Sequence, residues 1–198
     1  MRYANALSVV FGLVIPAVAS AQESNRRIGL DIVFTSLDEV QARKDSIKAS
    51  GWGYQISIAG KRAWFLGGAG FGQYLHKDLN EFTVSTTGGD RKSGADIWNL
   101  SVWGGLEAPG LKTSSTSNSR LTVSAVGGYT QVFMAAVREG IDCVDCPERK
   151  LGVKGGMFVE PSLKLLTGKV ELAVLQRTYF GGHLKTVTGF RIAYTGRD

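Results

Sequence analysis

The chain has 198 residues, 43% of them hydrophobic and 20% charged, with 26 glycines against 4 prolines. About twice the usual share of glycine with so little proline excludes collagen-like and Pro-rich disordered chains, and beyond the N-terminus no apolar run reaches the ~20 residues of a spanning helix. The formal net charge of +6 raises a nucleic-acid reading that only the distribution of charge can decide.

Residues 1–21 read as a secretory signal peptide. Arg2 supplies a short positive region, Leu7 to Val18 an apolar stretch, and Ala19-Ser20-Ala21 a small-x-small cleavage site. Removing them leaves residues 22–198 as one domain with a net charge of +5. An exported protein meets an oxidising compartment, which bears on its cysteines.

The remaining pattern is period-two alternation. Ile28, Leu30, Ile32 and Phe34 alternate with Arg27, Gly29, Asp31 and Thr35. Trp52, Tyr54, Ile56 and Ile58 alternate with Gln55, Ser57 and Ala59, and the same rhythm returns around Leu100, Val123, Leu172 and Ile192. Such alternation makes strands with one apolar and one polar face. It predicts eight, at residues 27–36, 51–60, 62–75, 95–105, 119–137, 152–166, 169–180 and 184–195, with a short helical turn near 37–47. Hairpin-sized turns are expected at Gly60-Lys61 and Thr167-Gly168, and long polar loops at 37–50, 76–94 and 138–151. Even strand number puts both termini at the short-turn end.

Cys143 and Cys146 sit in the acidic third long loop as a C-x-x-C pair. The only histidines, His76 and His183, lack the spacing that would complete a metal site, and no βα context supports a redox motif. In an exported chain the pair is a candidate disulfide clipping the loop tip.

Eight antiparallel strands suggest an all-β, closed, up-and-down barrel, and the apolar face decides its kind. Facing inward it would make a soluble, lipocalin-like periplasmic barrel, with Trp52, Tyr54, Ile56 and Ile58 lining a ligand cavity; facing outward it would meet lipid around a polar lumen. The opposite face carries Asp31, Gln55, Glu160, Lys164, Glu171, Arg177 and Arg191, mixed charges that suit a self-neutralising lumen network. Trp52, Tyr54, Phe65, Trp98, Trp103, Phe180 and Tyr194 fall near strand ends, as interfacial girdles would. Outward is the favoured orientation, which makes the barrel transmembrane.

The last strand, Val187-Thr-Gly-Phe-Arg-Ile-Ala-Tyr194, carries a glycine followed by hydrophobic or aromatic residues at fixed spacing. Here the chain resembles the small eight-stranded outer-membrane β-barrels of Gram-negative bacteria, the OmpA/OmpX type. The resemblance implies that Gly189, Ile192 and Tyr194 form a C-terminal signal read by the barrel-assembly machinery. Val187 replaces a usually polar residue, and four residues follow Tyr194.

The resemblance implies localisation in the outer membrane, with phospholipid and lipopolysaccharide as partners. Eight strands leave a lumen that side chains fill, which argues against a solute channel. Hydrolysis of lipid needs a nucleophile beside a base, and neither histidine has the His-x-Ser-Asn setting of lipid A deacylases, so no catalytic residue, cofactor or metal is expected. The three long loops sum to −1, so no exposed basic face of the kind a nucleic-acid binder needs is concentrated there. The expectation is a non-enzymatic outer-membrane barrel with a structural or surface-interaction role, its loops open to a protein or host-surface partner. The alternatives are the soluble apolar-ligand barrel and, behind it, a lipid-modifying enzyme.

Overall fold

The computed structural model describes residues 25–79, 83–86, 89–92, 94–113, 119–138 and 149–196. The signal segment and the Cys143/Cys146 pair lie outside the described residues. Eight long strands make the wall: β1 Asn25–Leu37, β2 Ile47–Arg62, β3 Phe65–Asp78, β4 Gly94–Glu107, β5 Arg120–Arg138, β6 Met157–Thr167, β7 Val170–Phe180 and β8 Leu184–Gly196. Each pairs antiparallel with the next, and β8 returns to pair with β1. The result is the closed up-and-down barrel the alternation predicts, and closure satisfies backbone groups around the full circle, leaving no open edge.

Alternation sets which residues face in. Along β1, Ile28, Leu30, Ile32 and Phe34 are exposed, while Arg27, Asp31, Val33 and Thr35 are buried. The same division runs around the wall: Ile56, Ile58, Leu163, Leu172, Val174 and Ile192 point out. This inverts a water-soluble barrel. The exterior is an apolar band, the solution for a wall that meets hydrocarbon, and the shortest strands, 11 residues each, suffice for a tilted crossing.

Several details differ from the sequence expectations, and β2 already begins at Ile47, inside the loop expected at 37–50. β2 runs on past Gly60 to Arg62, and the turn falls at Ala63–Trp64, with Ala63 at φ 53°. The strand extends because Lys61 still pairs with Leu66 and its ammonium reaches into the lumen. β6 starts at Met157; residues 151–156 are irregular because Gly152 bonds a neighbouring loop instead of a strand. Trp103, placed above in an exterior girdle, is in phase with Asn99 and Ser101 and stands inside the lumen at 6% exposure. Gly68 makes the room, since a Cβ there would come within 2.8 Å of the Trp103 ring.

The β6–β7 turn uses Gly168 at φ 60°, a left-handed conformation that glycine adopts without a side-chain penalty. At the opposite end a helix, α1 Glu39–Lys44, forms in the first loop, and Thr83–Thr86 pairs with Gly89–Lys92 in the second. Register shifts interrupt the β1–β8, β2–β3 and β4–β5 ladders near that same end. Bulges there re-aim side chains toward the axis, and Leu184 and Val187 both face inward as a result.

Candidate functional site

The lumen is built in tiers. Nearest the short turns, Glu107 gathers three cations. Arg27 donates to both its oxygens at 2.6 and 2.8 Å, Lys164 to Oε2 at 2.7 Å and Lys61 to Oε1 at 2.6 Å. Glu171 joins the cluster, with Oε2 2.8 Å from Arg27 Nη1 and Oε1 4.0 Å from Lys164.

The middle tier holds two arginines. Arg191 donates from Nε and Nη2 to the two oxygens of Asp31, each at 2.7 Å, and approaches Glu160 at 3.8 Å. Arg177 grips Glu160 Oε2 through Nε at 2.9 Å and Nη2 at 2.6 Å, while Nη1 donates to Gln55, Ser101 and Tyr179. The Arg177 guanidinium also lies 4.3 Å from the Phe158 ring centre, an arrangement that favours a desolvated cation. Four fully enclosed cations (Arg27, Lys164, Arg177, Arg191) thus balance four enclosed carboxylates (Asp31, Glu107, Glu160, Glu171). Neutrality with paired geometry is what makes such burial tolerable.

Above them the lumen turns apolar. Val33, Leu37, Ile47, Tyr74, Ile97, Leu175, Leu184 and Val187 close the axis. His76, 3% exposed, bonds Thr35 Oγ1 and the Lys48 carbonyl, each at 2.9 Å.

Three loop segments then clasp one another over this plug. Asp45 accepts from Gln41 Nε2 at 2.7 Å and from Gly152 N at 3.0 Å. Arg149 donates to the Asp45 carbonyl and, at 2.9 Å, to Asp78. His183 accepts Asp38 N on its carbonyl at 2.7 Å and Lys154 N on Nδ1 at 3.1 Å. Asp38 caps α1 by accepting from Gln41 N at 3.2 Å and pairs with Lys185 at the same distance. The Gln41 N–H, aided by Lys185, holds the Asp38 carboxyl below the usual carboxylate range.

The structure brings Asp31, Gln55, Glu160, Lys164, Glu171, Arg177 and Arg191 together in the lumen. It separates the three last-strand residues: Ile192 and Tyr194 face outward, and Gly189 lies inside beside Val33. Arg27 and Glu107 complete the network: alternation puts Arg27 on the polar face of the first strand although it is not among the expected lumen residues, and Glu107 lies beyond the strand end expected at residue 105. Arg27 is in phase with Asp31, and Glu107 continues the inward phase of Asn99, Ser101 and Trp103. Trp52, Ile56 and Ile58 point away from the axis, so they line no interior cavity. Between the lower tiers lies a void of about 10 Å³, bounded by Arg27, Trp103, Lys164, Glu171 and Arg191. That is about one water's room, far below what a solute path or ligand pocket needs. Among the described residues no group of three or more His, Cys, Asp or Glu side chains could hold a metal.

No family model matches the chain, and no curated protein matches its sequence. Among solved structures it is similar to Neisserial surface protein A, with a TM-score of 0.50 and 9% identity over 89% of this chain and 98% of that one. At that identity the likeness is one of fold: a small barrel of the outer-membrane type.

Proposed function

We propose that this chain is a non-enzymatic integral outer-membrane barrel whose structural wall carries a loop surface for contact with an external partner. One observation carries the reading: the barrel is apolar outside and ion-paired inside. Burying Asp31, Glu160, Arg177 and Arg191 while exposing Ile32, Phe34, Leu163 and Ile192 is costly in water and favourable in a bilayer. Residues 1–21 act as the export signal, Gly189, Ile192 and Tyr194 as the handle for the assembly machinery, and Cys143 with Cys146 as a loop disulfide. Phospholipid and lipopolysaccharide surround the wall, with the long loops outside and the short turns in the periplasm.

A non-enzymatic role is supported by where the histidines sit. His76 is spent on Thr35 and Lys48 beneath the loop cap, and His183 on backbone partners. The name of the structural neighbour describes a surface protein, and the clasped loops here give a rigid platform of the kind a surface contact uses.

The test is fractionation of cells expressing the full chain, then gel mobility of the detergent-extracted protein with and without boiling. Recovery with the outer membrane and a heat-dependent shift are expected. Recovery as a freely soluble periplasmic protein overturns the reading.

A further inference from the structure

The two ends of the barrel differ in charge. At the loop end the charges offset one another: the three long loops sum to −1, and Arg43 meets Glu39, Lys185 Asp38 and Arg149 Asp78, while Lys44, Lys48, Lys150 and Lys154 are exposed without a carboxylate partner among the described residues. The turn end is different. Arg26, Arg62, Lys112, Arg120 and Lys169 are all exposed there, and no carboxylate among the described residues pairs with any of them. Among the described residues the acidic side chains at that level, Glu107 and Glu171, are enclosed in the lumen and already hold Arg27, Lys61 and Lys164.

Two features add to this. Lys112 and Arg120 are direct register partners, so two like charges face each other across a two-residue ladder, an arrangement that is unfavourable unless an anion lies between or near them. The cations also sit beside apolar and aromatic groups. Arg62 is opposite Phe65 and next to the turn that carries Trp64, Lys169 precedes Val170, which pairs with Tyr194, and Leu111 pairs with Leu121 just inside Lys112 and Arg120. Trp64, Phe65, Leu111 and Tyr194 are more than half exposed. Basic groups bordering a belt of exposed aromatic and apolar side chains match the headgroup level of a leaflet, with aromatic bodies in the interface and cations at the phosphates.

We infer that the turn-end rim, formed by Arg26, Arg62, Lys112, Arg120 and Lys169, binds anionic phospholipid headgroups in the leaflet that meets the short turns. This rests on the membrane reading above. The chemistry required is a phosphodiester with net negative charge, such as phosphatidylglycerol. A zwitterionic phosphatidylcholine offers the same phosphate with a cancelling ammonium. Each basic residue at an anionic surface contributes a factor of about fivefold in local enrichment, so removing five abolishes most of the preference.

The experiment folds the full mature chain into nanodiscs of mixed phosphatidylglycerol and phosphatidylcholine and counts the lipids of each kind retained on the gently released protein by native mass spectrometry. The wild-type barrel retains phosphatidylglycerol several-fold over its share, and the excess shrinks with added salt. The variant R26Q/R62Q/K112Q/R120Q/K169Q loses the excess, whereas the charge-matched loop-end variant K44Q/K48Q/K150Q/K154Q/K185Q keeps it. Equal retention of both lipids by the wild type overturns the inference, as does an excess lost equally in both variants. A heat-dependent gel shift on every sample separates this outcome from failure of the membrane reading, which removes the shift from the wild type itself.

Discussion

Asp31 and Arg191 lie 160 positions apart in the chain yet directly opposite each other in register, joined by two hydrogen bonds of 2.7 Å across the seam where the last strand meets the first. The seam is therefore closed by a buried, bidentate charge pair as well as by backbone ladder bonds. Planar two-point geometry is the strong form of this interaction.

Breaking that pair from one side leaves a charge stranded. D31N is expected to destabilise the barrel by about 3–5 kcal/mol, measured as the urea midpoint of the unfolding gel shift. A volume-matched apolar replacement of both partners, D31L/R191M, should cost clearly less than D31N, because neither charge then remains. Equal losses would mean the seam depends on the ladder alone.

Glu107 is the hub of the lower tier, so its isosteric removal is more damaging than loss of any single spoke. E107Q leaves Arg27 and Lys164 with Glu171 as their one remaining carboxylate and takes the carboxylate partner of Lys61 away, and is expected to cost about 3 kcal/mol or more. K61Q removes a side chain that still sees solvent, at 18% exposure, and should cost under about 1 kcal/mol. Urea unfolding of the two variants side by side gives the comparison.

The lumen tolerates Trp103 because Gly68 has no side chain. G68A brings a methyl within 2.8 Å of the ring and within 2.6 Å of the Ile58 carbonyl oxygen and is expected to destabilise by about 1–3 kcal/mol through overpacking. Shrinking the ring in G68A/W103F should recover part of that loss. The part recovered in the double variant measures the ring's share of the clash, and the part that remains is the share of the Ile58 carbonyl and the backbone.

Asp38 gives the loop cap a pH dependence of known sign. Its carboxyl is held below the ordinary range by the Gln41 N–H and Lys185, so its contribution is fully present above the ordinary carboxyl range. That contribution is lost as pH falls through the lowered folded value. The carboxyl carbon resonance of Asp38 should titrate below that of a model carboxylate. D38N, which keeps an oxygen for capping and removes the charge, should abolish the acid-linked loosening of α1.

Much of this architecture was legible because a wall between two media forces alternation. Every second residue of β1, β2, β7 and β8 announces its face, and seven lumen residues follow from phase alone. Trp103 misled because aromatic rings near strand ends are equally at home in a girdle, and only its phase with Asn99 and Ser101 tells the two apart. Glu107 was missed because the strand runs farther than its apolar residues. Leu106 is followed by a carboxylate whose partners, Arg27, Lys61 and Lys164, come from distant strands. The clasp among Asp45, Arg149 and Gly152 was not legible at all, since nothing local in any of the three segments implies the others.

That clasp makes the cap a discontinuous assembly. The face it presents is assembled from residues 38–46, 149–154 and 183, so no continuous stretch of sequence reproduces it. A peptide copied from one of these segments lacks the partners that hold its shape, so it does not reproduce the conformation of the intact cap. Replacing any one of the three segments also removes partners of the other two, so a change in this cap is felt across segments far apart in the chain.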